Sequence, residues 1–294
     1  MPLTREQTQR MRCRLIGEAD LPALAQLLSR GFPDRSPRYW ARALETLERR
    51  DAPEGYPRFG YMLGQDGAPV GVLLMIFSTW RTQGTTRTRC NISSWYVEET
   101  ARAYASLLIA AAVRHKDVTY INVSPAVHTW PVIEAQGFTR YCEGQMLTIP
   151  ALSAWVSNVR VREFDPRRDY ADTLTAEERD VLVTHVEHGC LAYVVHEKRN
   201  AHPFVFLKRR LLFGMLPTLQ LIYCRNITEF QRFAGPLGRE LMSRGQPTVL
   251  VDASEPLPGL VGKFMRNRGP KYFKGPERPR LGDLAFSESV LFGP

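Results

Sequence analysis

The sequence predicts an α/β protein made of two successive units of similar layout, residues 1–150 and 151–294. Three observations predict it. Runs of strand character, such as Val118-Thr119-Tyr120-Ile121-Asn122-Val123 and Thr248-Val249-Leu250-Val251-Asp252, alternate with stretches of helical periodicity. Each of these runs leads through a short helical stretch and a glycine into a basic-aromatic strand. Arg140-Tyr141-Cys142-Glu143-Gly144 follows Gly137 in the first half, and Lys271-Tyr272-Phe273-Lys274-Gly275 follows Gly269 in the second. The length, 294 residues with 44% hydrophobic and 23% charged side chains, suits two repeats of roughly 140 residues, each with its own core.

The elements follow in chain order. Arg12 to Ile16 reads as a strand, and Asp20 stands where it can cap a helix over Leu21 to Ser29. A second amphipathic helix covers Pro37 to Arg49. Phe59 to Leu63 and Val70 to Trp80 form a hairpin around Gln65-Asp66-Gly67, because Asp-Gly tolerates the positive φ that tight turns demand. Arg87 to Val97 is the next strand. Val118 to Val123 is a buried strand, Thr129 to Glu134 a short helix stopped by Gly137, and Thr139 to Thr148 a strand.

Pro150 to Asn158 reads as a connector. Beyond it, a helix over Ala176 to Glu187 has Thr175 as its cap, and strands are expected at Leu191 to His196, Phe204 to Leu207 and Leu219 to Cys224. Thr228 caps a helix reaching Ser243. Thr248 to Asp252 is a strand, Leu260 to Arg266 a short helix and Leu284 to Leu291 a last strand.

Composition narrows the partners. The formal charge of +9, from 39 basic and 30 acidic side chains, favours polyanions: nucleic acid, an anionic surface or a phosphate-rich cofactor. Lys208-Arg209-Arg210 and the run Lys263, Arg266, Arg268, Lys271, Lys274, Arg278 and Arg280, the second of these clusters interleaved with Phe264, Tyr272 and Phe273, either bind an anionic acceptor such as RNA or form a solvated face. The 5 cysteines show no CxxC spacing, which fits a reducing, cytoplasmic setting. His185-x-x-His188-x-Cys190 places ligand-type residues close together without a further ligand, so no metal is expected. The stretch Leu211 to Tyr223 is too short and interrupted to span a bilayer, and Walker loops, nucleophile elbows and dinucleotide fingerprints are absent.

The segment from Cys90 to Leu108 carries the chemistry. A strand ends at Val97, a polar turn follows, and a helix is expected to open near Arg102 and run to Val113. A strand that feeds directly into a helix N-terminus leaves backbone N–H groups without intrahelical partners, and these can hold an anion.

This order of elements, ending in a strand, a helix and Gly137-Phe138, resembles the GNAT acyltransferase superfamily over Arg12 to Thr148. The second half is similar to a further, diverged copy. The resemblance implies two tandem GNAT-like domains, each a mixed central sheet flanked by helices. It also implies acyl-CoA as co-substrate and a small-molecule amine or hydroxyl as acceptor. The family's cofactor loop, Arg/Gln-x-x-Gly-x-Gly/Ala, aligns with Arg102, with Ala105 at the first Gly position and Leu107 at the Gly/Ala position.

By that alignment Tyr96, Val97, Arg102, Ala103, Tyr104, Ala105 and Ser106 are the candidate cofactor-binding residues. The family's thiolate-protonating Tyr aligns with Ile133, and its Asn with Ala126. His128, Tyr141 and Tyr104 are then the nearby acids, and Glu98 is the carboxylate at the strand's end. Three readings stay open: an acyltransferase, a non-catalytic GNAT-derived binding protein, and a tRNA-dependent aminoacyl transferase.

Overall fold

The structure, a computed structural model, describes residues 11–65, 67–82, 85–168, 170, 173–211 and 216–293. Its strands are β1 (Met11–Leu15), β2 (Gly60–Gln65), β3 (Ala68–Thr82), β4 (Thr85–Val97), β5 (Val118–Asn122), β6 (Thr139–Thr148), β7 (Val159–Glu163), β8 (Leu191–Glu197), β9 (Asn200–Leu211), β10 (Leu216–Cys224), β11 (Thr248–Ala253) and β12 (Gly262–Lys274). Its helices are α1 (Leu21–Gly31), α2 (Pro37–Arg49), α3 (Ala105–Ala112), α4 (Trp130–Ala135), α5 (Ala176–Glu187), α6 (Ile227–Ser243) and α7 (Glu288–Leu291). The chain divides into two compact units, one of Met1–Thr79 with Arg87–Tyr120, the other of Trp80–Thr86 with Ile121–Pro294.

In the first unit the strands lie in the order β1-β2-β3-β4-β5. β1 pairs antiparallel with β2 from Met11↔Gln65 to Leu15↔Tyr61, and β2 with β3. Pro37 and Ser36 set the start of α2, the Ser36 hydroxyl accepting from the Tyr39 N–H at 3.2 Å. The apolar faces of α1 (Leu24, Leu27, Leu28) and α2 (Trp40, Leu44, Leu47) are buried, as are Leu63, Leu73, Leu74 and Ile92 of the strands. Asp20 departs from its expected role. It accepts from the Gly17 N–H at 2.9 Å and from Arg14, and so closes the single turn before α1 instead of capping α1.

In the second unit the order is β12-β6-β11-β10-β9-β8-β7. Strands β7 to β10 form an antiparallel meander, α6 crosses over, and β11 returns parallel to β10. The element orders are alike: β1, two helices, β2–β4, α3 and β5 come first, and β7, α5, β8–β10, α6 and β11 follow. The two echoing strands lie side by side: β12 runs antiparallel to β6, with Lys271↔Cys142 and Tyr272↔Arg140.

Four sequence expectations change in the second half. The helix expected over Leu260 to Arg266 is absent, and β12 opens at Gly262. Asn267 at φ 62°, Gly269 at φ 58° and Pro270 forbid a continuing helix, and pairing with β6 takes its place. Leu284 to Leu291 is a turn entering α7, because Phe286 sits at φ 56° and its N–H turns to His185. Strand β7 arises beyond the expected connector, by pairing with β8. The cap of α6 is Asn226, whose Oδ1 accepts from the Glu229 N–H at 2.8 Å, and not Thr228.

Candidate functional site

Strand β4 carries an irregularity that simple alternation does not predict. Cys90, Asn91, Ile92 and Ser93 are all buried, and then Ser94 adopts φ 52° in mid-strand. A non-glycine residue in the left-handed region costs of order 1–3 kcal/mol, and such kinks cluster where a strand must re-aim its side chains. The Ser93 and Ser94 hydroxyls lie 2.9 Å apart. After the kink, Trp95 and Tyr96 are half-buried and Val97 is buried again. The Tyr96 ring seats against the end of α1, where a Cβ on Gly31 would stand 2.4 Å from the ring, and Phe32 lies at 6.3 Å. Glycine there makes room for the tyrosine.

The turn after β4 is tighter than expected. The Glu98 N–H donates to Val70 O at 2.8 Å, and Glu99–Tyr104 winds as a 3-10 turn before α3 starts at Ala105. The expected helix opening at Arg102 is therefore displaced by three residues. The Ala101 and Ala105 amides already donate to Glu98 O and Arg102 O. Arg102, Ala103, Tyr104 and Ser106 are exposed and Ala105 is half-buried. Among the described residues Arg102 pairs with Glu99 at 3.7 Å, a loose surface pair. Leu107, at the family's Gly/Ala position, is exposed, while Leu108 and Ile109 fill the core. Glu98 is the better-held carboxylate, its Oε1 accepting from Arg30 Nε at 3.2 Å and Nη2 at 2.7 Å.

The structure thus brings Tyr96, Val97, Glu98 and Arg102 to Ser106 together in the first unit, whereas His128 and Tyr141 belong to the second. His128 is exposed in the turn before α4, and Tyr141 is buried on β6 with its ring edge-on to Phe273 at 6.1 Å.

In the second unit, β10 has a bulge between Leu221 and Tyr223. Its pairing with β11 stops at Gln220↔Leu250, so the two strands part beyond that point. The parting is filled by the chain itself. The Leu284 N–H donates to Ile222 O at 2.8 Å, the Cys224 N–H to Gly282 O at 2.9 Å, and Asp283 bridges Tyr223. Arg280 closes the end of β10 by donating to Cys224 O and Arg225 O and lying over the Tyr223 ring at 5.0 Å. The first turn of α6 is capped and carries Glu229, which opposes an anion.

Other sequence candidates have structural roles. Nδ1–H of buried His185 donates to Val181 O at 2.6 Å and its Nε2 accepts from the Phe286 N–H at 3.1 Å, so both ring nitrogens are used in holding the C-terminal turn. Among the described residues no group of three or more His, Cys, Asp and Glu is placed to hold a metal ion. Burial pushes the Cys190 and Cys224 thiols up to about 12 and Cys142 to about 11, away from thiolate chemistry. The expected basic cluster around Lys271 is divided: Lys271 is buried and bonded to Asp252, and Lys274 Nζ donates to Gln136 O at 2.7 Å. Neither is a free cation for RNA.

No protein-family model and no curated protein matches the sequence. Solved structures do match. A GCN5-related N-acetyltransferase from Anabaena variabilis has a TM-score of 0.57 at 10% identity, over 90% of this chain and 72% of that one. One from Kribbella flavida has a TM-score of 0.56 at 15% identity, over 90% and 71%. A probable N-acyltransferase from Enterococcus faecalis has a TM-score of 0.57 at 12% identity, over 94% and 73%. With a mixed sheet flanked by helices, the chain has the fold of the GCN5-related N-acetyltransferases, the GNAT fold.

Proposed function

We propose that the protein is an acyltransferase that moves an acyl group from acyl-CoA to the amine or hydroxyl of a small-molecule acceptor, using the first unit. The observation that carries this reading is the Ser94 kink in β4, immediately before an exposed turn and α3. In this fold that is where a strand must part from its neighbour to admit a thioester arm. The second unit's equivalent parting is occupied by residues 282–284 and so is not available. The two units are, on this reading, tandem copies of one GNAT-like domain, 1–150 and 151–294, of which the second keeps the fold without a cofactor site.

In the reaction the acceptor's lone pair attacks the thioester carbonyl. The C–S bond breaks as the C–N or C–O bond forms, the acceptor loses a proton and the CoA thiolate gains one. Arg102 supplies charge to the pyrophosphate, with the backbone from Tyr96 to Ser106 around it. Glu98, fixed by Arg30, receives the acceptor's proton directly or through water. Tyr104, exposed on the same turn, is the candidate for returning a proton to sulfur. No protein thiol is required, in keeping with the raised cysteines. The compartment proposed is the cytoplasm, where the 5 free cysteines stay reduced.

A second reading, a GNAT-derived binding protein without turnover, is favoured by the 3-10 turn that engages the Ala101 and Ala105 amides. Release of free CoA thiol, followed with acetyl- and longer acyl-CoA against a panel of amines and alcohols, separates the two. Acceptor-dependent release that falls about 10²-fold in Glu98→Gln supports the transferase. Release no faster than the uncatalysed background across the panel would leave only the binding protein.

A further inference from the structure

A cavity of about 550 Å³ opens beside β7 and β8, in the second unit, lined by Asn158, Val159, Arg160, Arg162, His196 and Lys198. We propose that it binds a small polyphosphate-bearing molecule, of pyrophosphate to nucleoside-diphosphate size. The proposal is independent of the acyltransferase reading.

Strand register assembles the charge. Arg160 lies directly opposite His196, and Arg162 opposite Val194, so Arg160, Arg162 and His196 share one face of the ladder. The alternate residues Val159 and Val161 pack against the apolar core on the other side. Arg160 and Arg162 stand side by side on this face, and like charges so placed repel unless an anion joins them.

The neighbouring carboxylates do not neutralise this face. Glu163 is held by Arg244 at 2.5 Å, Glu197 by Arg232 at 2.6 Å, and Asp165 faces Arg168 at 3.7 Å. Among the described residues no ion-pair partner is found for Arg160, Arg162 or Lys198.

The backbone also presents the site at a cost. Asn158 at φ 61° and Lys198 at φ 52° are left-handed, and both line the cavity. Lys198 and Arg199 form the two-residue turn between the paired Glu197 and Asn200, where glycine would relax the strain. Basic residues on an edge strand also discourage stray pairing.

His196 gives the site a signature. Its ring lies parallel to the buried Tyr170 ring at 6.4 Å. Burial first, and then Arg162, Arg160 and Arg168, hold its imidazole below the ordinary histidine range. A bound polyphosphate offsets the positive charge of these arginines, so His196 takes up a proton and joins the three permanent cations. The lining has no exposed aromatic ring on which bases could stack, which favours a compact ligand over a nucleic-acid strand.

The test is calorimetric titration with pyrophosphate and ADP, with the His196 ring followed by NMR. We expect sub-millimolar binding, weakened at least tenfold by the Arg160→Gln/Arg162→Gln pair and by Lys198→Gly, and unchanged by Arg102→Glu. Lys198→Gly relaxes its turn and so keeps the fold. Pyrophosphate should shift the His196 titration to higher pH. Three results would overturn the proposal: no binding at millimolar ligand, binding insensitive to the Arg160/Arg162 and Lys198 variants, or tighter binding of a single-stranded RNA oligonucleotide at these same residues.

Discussion

Lys271 shows how far a residue's type can mislead about its place. It reads in sequence as one cation of a basic cluster, yet it is 1% exposed, its Nζ 2.8 Å from Asp252 Oδ1 and 3.0 Å from Gly269 O. Gln145 donates to the same Asp252 oxygen at 3.1 Å. Removing one member of such a pair leaves a buried charge uncompensated. Lys271→Ala should therefore lower unfolding free energy in urea by about 3–5 kcal/mol, while Lys271→Met with Asp252→Leu should cost far less. Glu288 is the second case. Burial pushes its carboxyl up from 4.5 to about 7 despite the bond from Ser124. A raised acid favours the protonated fold, so its stabilisation is full below about pH 4.5 and is lost as pH rises through about 7. Amide-exchange protection of the C-terminal turn and α7 should fall between pH 5.5 and pH 8, and Glu288→Gln should flatten that fall.

At the scale of elements, helix α6 sets propensity against packing. Gly238 sits inside it, and exchange to alanine in a free helix gains about 1 kcal/mol. A Cβ at Gly238 would stand 2.1 Å from Ala151 N, in the turn Pro150–Leu152 that packs on the helix. Gly238→Ala should thus destabilise, by about 1–3 kcal/mol in thermal or urea unfolding. A gain in stability would mean the turn yields.

The same contrast explains what sequence could reveal. Helix α1 was legible from its apolar periodicity, α2 and α5 from periodicity or a capping hydroxyl at Ser36 and Thr175, and strand β6 from the stop glycine before it. Strands β7 and β12 were not, because they are held by the partners they pair with, β8 and β6. The polar turn after β4 was legible as a turn, but the left-handed Ser94 has no mark in a run of ordinary strand residues. Arg160 and Arg162 carried a readable alternation, but their meeting with His196 depends on register.

At the scale of the whole molecule, the two units share an order of strands and helices but differ at the turns that enter α3 and α6. In the second unit the parting of β10 and β11 is filled by residues 282–284 and the α6 N-terminus is capped and acidic. In the first unit the corresponding turn remains exposed, with Arg102 on it. No helix among the described residues is long and apolar enough to cross a membrane. The central claim is that the turn from Tyr96 to Ser106 still holds acyl-CoA although Ala105 and Leu107 replace small flexible residues. Isothermal titration of the wild-type chain with acetyl-CoA tests it most directly. Repeated in the Arg160→Gln/Arg162→Gln background, where the second unit's polyphosphate site is lost, the titration should show one saturable site per chain, weakened at least tenfold, about 1.4 kcal/mol, by Arg102→Glu. No binding of acetyl- or longer acyl-CoA at millimolar concentration, or binding that Arg102→Glu leaves unchanged, would contradict it.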